Sequence, residues 1–269
     1  MNFFKGKDDT SIATFWEHLE SLRWVIMRVM IVLIVLLIVV FGNKEFIFSK
    51  LIFSSLNSDF WLYTSLCRLA ELLAFPALCP GYFNIQLINI NLSGQFMAHI
   101  STSFTIGLLL AVPYLLYEIW KFIYPALYPN EKKSTGFIFL ISSLLFYTGA
   151  AVSYYVIFPL TIRFLGTYTV SELVPNQISV QSYLSTFFIL IFSLGIMFEM
   201  PVLAYFLSKI GIITKQTLRA GRKYALVIIL IIAAIITPTT DPFTMTVVAL
   251  PIYLLYEVSI LVCRNKTKH

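Results

Sequence analysis

Trp24–Gly42, WVIMRVMIVLIVLLIVVFG, holds one charged residue, Arg28, in 19 positions. About 20 apolar residues in helical form cross the roughly 30 Å of a bilayer's hydrocarbon core. A helix also satisfies its own backbone where no water is available. The stretch is therefore read as a membrane-spanning helix, and the rest of the chain agrees. Of 269 residues, 59% are hydrophobic and 12% charged, with a mean hydropathy of +0.85. A soluble domain of this length has too little interior for that much apolar surface. The expectation is an all-α integral membrane protein forming one polytopic domain over 1–269.

On the N-terminal side, Thr14 and Glu17 fit a capping box, and Ile12, Phe15, Trp16, Leu19 and Leu22 recur at helical spacing. Residues 14–23 read as an interfacial amphipathic helix that runs directly into the first span, with Glu17, Glu20 and Ser21 on the opposite face. Arg23 and Arg28 are expected to snorkel to the head groups. Met1–Thr14 is polar and no small-residue cleavage site follows, so no cleavable signal peptide is expected.

On the C-terminal side, residues 43–94 are too broken for a span and too apolar for a linker, and read as an ordered outer loop with one or two short helices. Further spans follow in Gln95–Tyr124, with Pro113 expected to kink it, in Gly136–Pro159 and in Tyr183–Leu207. The last two are expected to be short. Tyr224–Thr237 rises roughly 21 Å at 1.5 Å per residue, and Phe243–Val262 returns after the turn Pro238-Thr239-Thr240-Asp241-Pro242. That makes six transmembrane helices, with loops at 121–135 and 208–223.

Lysine and arginine orient the chain. With the N-terminus inside, fifteen of the 19 fall on the cytoplasmic side and four, Lys44, Lys50, Arg68 and Arg163, outside. This positive-inside bias places both termini and the loops 121–135 and 208–223 in the cytoplasm. The net charge of +6 is thus a topology signal, and no nucleic-acid partner is expected. Cys67 and Cys79 fall in the outer loop, where a disulfide persists; two free packed thiols are the alternative. Cys263 lies on the reducing side.

No zinc-binding His-Glu-x-x-His helix and no serine elbow is present, which argues against an enzyme. The chemical oddity is Glu199, set in apolar sequence before Met200-Pro201, where an ionised carboxylate costs about 3 kcal/mol on insertion scales. It reads either as a brace for the kink at Pro201 or as a polar spot on a concave face, with the second favoured. Glu118 and Glu257 lie nearer helix ends on the cytoplasmic side, where Arg and Lys neighbours or interfacial water can satisfy them. Asp241 reads as a cap for the last helix, with recognition as the alternative.

The loop Lys121–Lys133, KFIYPALYPNEKK, carries two prolines, aromatic residues and the lone acid Glu131. Taken with His18-Leu19-Glu20-Ser21-Leu22-Arg23, with Gly195-x-x-Phe198-Glu199-x-Pro201 and with Thr237-Pro238, Asp241 and Leu250-Pro251, it resembles the TatC family, the signal-peptide receptors of the twin-arginine protein translocase. The four features stand in order from residue 14 toward the C-terminus.

The resemblance implies a bacterial inner-membrane receptor that binds the paired arginines of folded cargo at its cytoplasmic face. It implies partners of the single-span TatA and TatB type, contact with lipid, self-association, export driven by the proton-motive force, and no cofactor. Carried over, the binding residues are Glu131 and Phe122 in the loop and Glu20, Glu17, Ser21 and Arg23 at the N-terminal motif, with Glu199 on the concave face and Asp241 in the outer turn. Two positions depart from the pattern. Ser21 stands where the family usually carries an acid, with Glu20 or Glu17 as substitute, and Met245 stands where a glutamine is common. The rival readings are a proton- or ion-coupled transporter using Glu199, for which no paired repeat is visible, and a structural scaffold.

Overall fold

The structure, a computed structural model, describes residues 15–57, 60–72, 85–123, 135–169, 171, 173, 176–237, 239 and 241–263. It is a bundle of helices, and among the described residues five are long and apolar enough to cross a membrane: Leu19–Gly42, Gly94–Phe122, Ile138–Thr167, Val180–Lys209 and Pro242–Val262. Their outward faces stay apolar; Ile34, Val35 and Ile38 are each at least 50% exposed. That is the surface expected where the solvent is hydrocarbon.

Helix α1, Phe15–Gly42, is continuous, so the amphipathic start and the first span form one rod. A π-helical turn, Phe46–Ile52, and a 3-10 turn, Phe53–Leu56, follow, then α2, Trp61–Leu72, and strand β1, Leu87–Ile88. Helix α3 is Gly94–Ile123. Helix α4, Thr135–Val152, passes through a π turn at Ser153–Ile157 into α5, Phe158–Thr167. Strand β2, Ile178–Ser179, leads into α6, Val180–Met197, then α7, Met200–Lys209. The short α8, Lys215–Ala220, precedes α9, Arg222–Ile236, and α10, Pro242–Val262.

Prolines shape the spans by withholding an amide from the carbonyl four residues back. At Pro113 the helix continues, and the carbonyl of Leu109 accepts the Tyr147 hydroxyl of α4 at 3.3 Å. Ahead of Pro159 the chain widens into the π turn, with the Phe158 amide bonded to Ser153. The third span therefore does not stop at Pro159, as the sequence reading had it, but runs on to Thr167. Ahead of Pro201 the Glu199 amide bonds Ile196, three residues back, and the span breaks into α6 and α7.

Helix α6 is the axis of the core. Tyr183, Leu184, Phe187, Leu190, Ile191 and Leu194 are all buried along it. The outer loop is fastened to the core by phenols. Tyr183 donates to the Ile52 carbonyl at 2.7 Å, and Tyr154 to that of Leu51 at 2.8 Å. Tyr63 of α2 donates to the Pro159 carbonyl at 3.1 Å, and burial pushes its phenol up to about 12 against the lowering effect of Arg163. Parallel pairing of β1 with β2, Leu87 opposite Ile178, closes the cap.

Two further expectations change. The outer loop adds a strand pairing to its short helices, and α10 is not short: its 21 residues rise about 31 Å. The short member is α9, whose 15 residues rise about 22 Å.

Candidate functional site

Helices α1 and α3 pack antiparallel along a seam that three contacts fix. Near one end the Phe41 and His99 rings stack with centroids 4.0 Å apart. In the middle, a Cβ added at Gly107 would lie 3.3 Å from the Leu37 amide, so the small residue permits close approach. Near the other end Arg28 meets Glu118. Its Nε donates to Oε1 at 2.9 Å and its Nη2 to Oε2 at 2.8 Å, and the Tyr114 hydroxyl donates to Oε1 at 3.0 Å. The Glu118 side chain is 2% exposed. Arg28 therefore does not snorkel to head groups as expected; it forms a fork with a carboxylate 90 residues away in sequence.

The seam brings Glu20, Ser21 and Arg23 of the N-terminal motif to the same end as Phe122. Ser21 lies seven residues, two turns, before Arg28 and so on the same face; Glu20 is rotated by about 100° from it. Glu20, Ser21 and Arg23 are exposed on the first turns of α1. On α3, Phe122 follows Glu118 by four residues, one turn toward that same end, and is half-buried. Glu17 lies on the first turn of α1, its side chain outside the described set; Glu131, with the rest of 124–134, lies outside the described residues.

The other flank of α3 is packed. Trp120 is buried and meets Phe206 edge to face at 5.5 Å, in a cluster with Ile138 and Val202. Thus α3 turns Tyr114 and Glu118 toward α1 and Trp120 toward α4 and α7.

Glu199 sits at the break between α6 and α7. Its Oε2 accepts the Ser142 hydroxyl at 2.5 Å, while Oε1 is buried without a hydrogen-bond partner among the described residues. Glycines bring the helices this close. A Cβ at Gly195 would stand 2.7 Å from the Phe146 ring, and one at Gly149 would stand 2.7 Å from Phe198 and 2.8 Å from the Leu194 carbonyl. Ser142, Phe146 and Gly149 share one face of α4. The sequence reading missed Ser142; its spacing of seven from Gly149 was the available signal.

Asp241 is the N-cap of α10. Oδ1 accepts the Thr244 amide at 2.8 Å, and Oδ2 accepts the hydroxyls of Thr239, at 2.6 Å, and Thr244. Burial pushes the carboxyl up, but these donors together hold it below the usual carboxylate range. Met245, which follows, packs against the core. Glu257 accepts from Arg222 at 2.7 Å, tying α10 to α9. Cys67 is disulfide-bonded and Cys263 is a free buried thiol; Cys79 lies outside the described residues. Among the described residues no three His, Cys, Asp or Glu side chains converge as metal ligands.

Residues 17–251 match the family model described as Sec-independent protein translocase protein (TatC). The chain is 34% identical over 256 residues to the Sec-independent protein translocase protein TatC of Blattabacterium sp. (strain BPLAN), covering 94% of this chain and 96% of that one. It is 36% identical to the protein of that name from Aquifex aeolicus, covering 94% and 95%. A crystal structure of the twin arginine translocase receptor TatC in DDM superposes with a TM-score of 0.73 at 31% identity, covering 92% of this chain and all of that one.

Proposed function

The chain belongs to the TatC family of Sec-independent protein translocase proteins, and from that premise we propose where and how it receives its cargo. It is a multi-pass helical membrane protein. In our reading it binds the paired arginines of a signal peptide where α1 begins and α3 ends. The observation that carries this is the seam itself: it brings Glu20, Ser21 and Arg23 to the same end as Phe122. Glu131 follows Phe122 by nine residues and is the principal acid, with Glu20 or Glu17 standing in for the acid absent at Ser21. A guanidinium prefers a carboxylate in planar, forked geometry, the arrangement that Arg28 and Glu118 already adopt one step deeper.

This end faces the cytoplasm of a bacterium, and the chain crosses the inner membrane six times with α9 as a short fifth span and both termini inside. The apolar part of the signal peptide runs toward Glu199, whose half-unpaired carboxylate is the polar spot it meets. Single-span subunits of the TatA and TatB type complete the translocase, copies of the chain associate, and the proton-motive force drives export. The chain acts as a binding and passage subunit rather than an enzyme. The comparisons lend no support to a solute transporter built on Glu199.

The test is binding of a labelled twin-arginine signal peptide to the purified chain, with a twin-lysine peptide as control. Selective binding that falls at least tenfold in Glu131→Ala, about 1.4 kcal/mol, is the expected result. Equal binding of the two peptides would overturn the reading.

A further inference from the structure

We propose that Arg28 and Glu118 are positioning residues for the signal-peptide site: their forked ion pair sets the register of α1 against α3, and so sets where the two halves of the site stand relative to each other. The inference rests on the receptor reading above, and its geometry is independent of it. Both Glu118 oxygens are engaged, one of them twice, by Arg28 and Tyr114. The pair lies between the rest of the seam and the open end. Above it the helices are fixed by the Gly107 approach and the stacking of His99 on Phe41. Beyond it, among the described residues, come Ser21 on α1 and Phe122 on α3.

A single point contact lets two helices rotate and slide past each other, whereas a planar fork with two parallel hydrogen bonds fixes both distance and direction. One residue of slip on α1 turns a side chain by about 100°, enough to exchange Ser21 for Glu20 at the seam. The position matters more here than it would in a chain with an acid at residue 21. With serine there, the choice of substitute acid depends on how α1 is rotated, and the fork holds that rotation. Glu118 also stands one turn before Phe122, so the same carboxylate holds the turn of α3 that carries Phe122.

The experiment measures peptide affinity and helix register on the full chain. Each sample is first shown to be monodisperse and its melting temperature recorded. Glu118→Gln is expected to weaken binding of a labelled twin-arginine peptide by roughly tenfold, a coupling of ordinary size between adjoining sites. Spin labels on Trp24→Cys and Lys121→Cys, both exposed, are expected to show a broadened distance distribution in that background. Arg28→Lys, which keeps the charge and loses the fork, should fall between the parent and Glu118→Gln in both readouts, and it supplies the answer if Glu118→Gln does not fold.

A lowered melting temperature with unchanged affinity and unchanged label distance would overturn the proposal, leaving the pair a plain stabiliser. Tighter binding in Arg28→Gln would overturn it as well, since Glu118 would then be an acid that Arg28 withholds from the peptide. If the parent fails to prefer twin-arginine over twin-lysine, the receptor reading falls, and the label distances alone judge the fork.

Discussion

Two glutamates are held between helices in this molecule, and they are partnered differently. Glu118, between α1 and α3, has each oxygen engaged and a guanidinium beside it. Glu199, at the α6–α7 break against α4, has one oxygen on Ser142 and the other, among the described residues, on nothing. In hydrocarbon a charge persists only with a partner, and a buried polar atom without one costs about 1–3 kcal/mol. A fully partnered carboxylate fixes geometry. A half-partnered one is retained at a cost, and we propose that it is open to something that arrives.

The largest effect that tests this contrast is expected at the glycine approach that presents Ser142 to Glu199. Gly149→Leu forces a side chain against Phe198 and the Leu194 carbonyl, and overpacking of this kind destabilises by about 3 kcal/mol. Unfolding in detergent measures it; a loss under 1 kcal/mol would mean that α4 and α6 are not held as described.

The same substitution at both glutamates separates them next. Glu118→Leu leaves Arg28 facing an apolar seam and is expected to lower the melting temperature by roughly 5 °C. Glu199→Leu removes an unpaired oxygen and should leave stability within about 1 kcal/mol of the parent while abolishing export in cells that depend on this chain. Equal destabilisation by the two changes would erase the distinction between them.

A smaller effect belongs to Asp241, a carboxylate fully engaged but outside the spans. Asp241→Ala removes the α10 cap and should cost about 1 kcal/mol. The folded value of this carboxyl is depressed, so its contribution is present above the ordinary 3.8 and is lost as pH falls through the lower folded value. Acid titration of stability should therefore lose a component in the parent that is missing from Asp241→Ala. Identical acid profiles would show that the cap contributes nothing.

The sequence disclosed the membrane class because nineteen near-uniform apolar residues at 24–42 admit few other structures. It disclosed the break at Glu199 because Pro201 withholds an amide. It placed the end of the third span at Pro159, since a proline in isolation reads as a stop, whereas the π turn and the packing around Phe158 carry the helix past it. It made the last helix short, yet Phe243–Val262 already holds 20 residues, and α10 adds only Pro242 behind the Asp241 cap. The pairing of Arg28 with Glu118 was out of reach, because 90 residues separate partners whose encounter depends on the antiparallel packing of α1 on α3. Glu118 was read as satisfied by basic neighbours, which is right in kind, but its partner lies on another helix.

The most direct test of the seam as the receptor site is photo-cross-linking of a bound twin-arginine signal peptide. Benzoylphenylalanine would replace Phe122 in one sample and Leu144, which is 65% exposed on the outer face of α4, in another. Capture of the peptide from residue 122 and not from 144, suppressed by excess unlabelled twin-arginine peptide, is the predicted result. Capture from 144 with none from 122 would contradict the account.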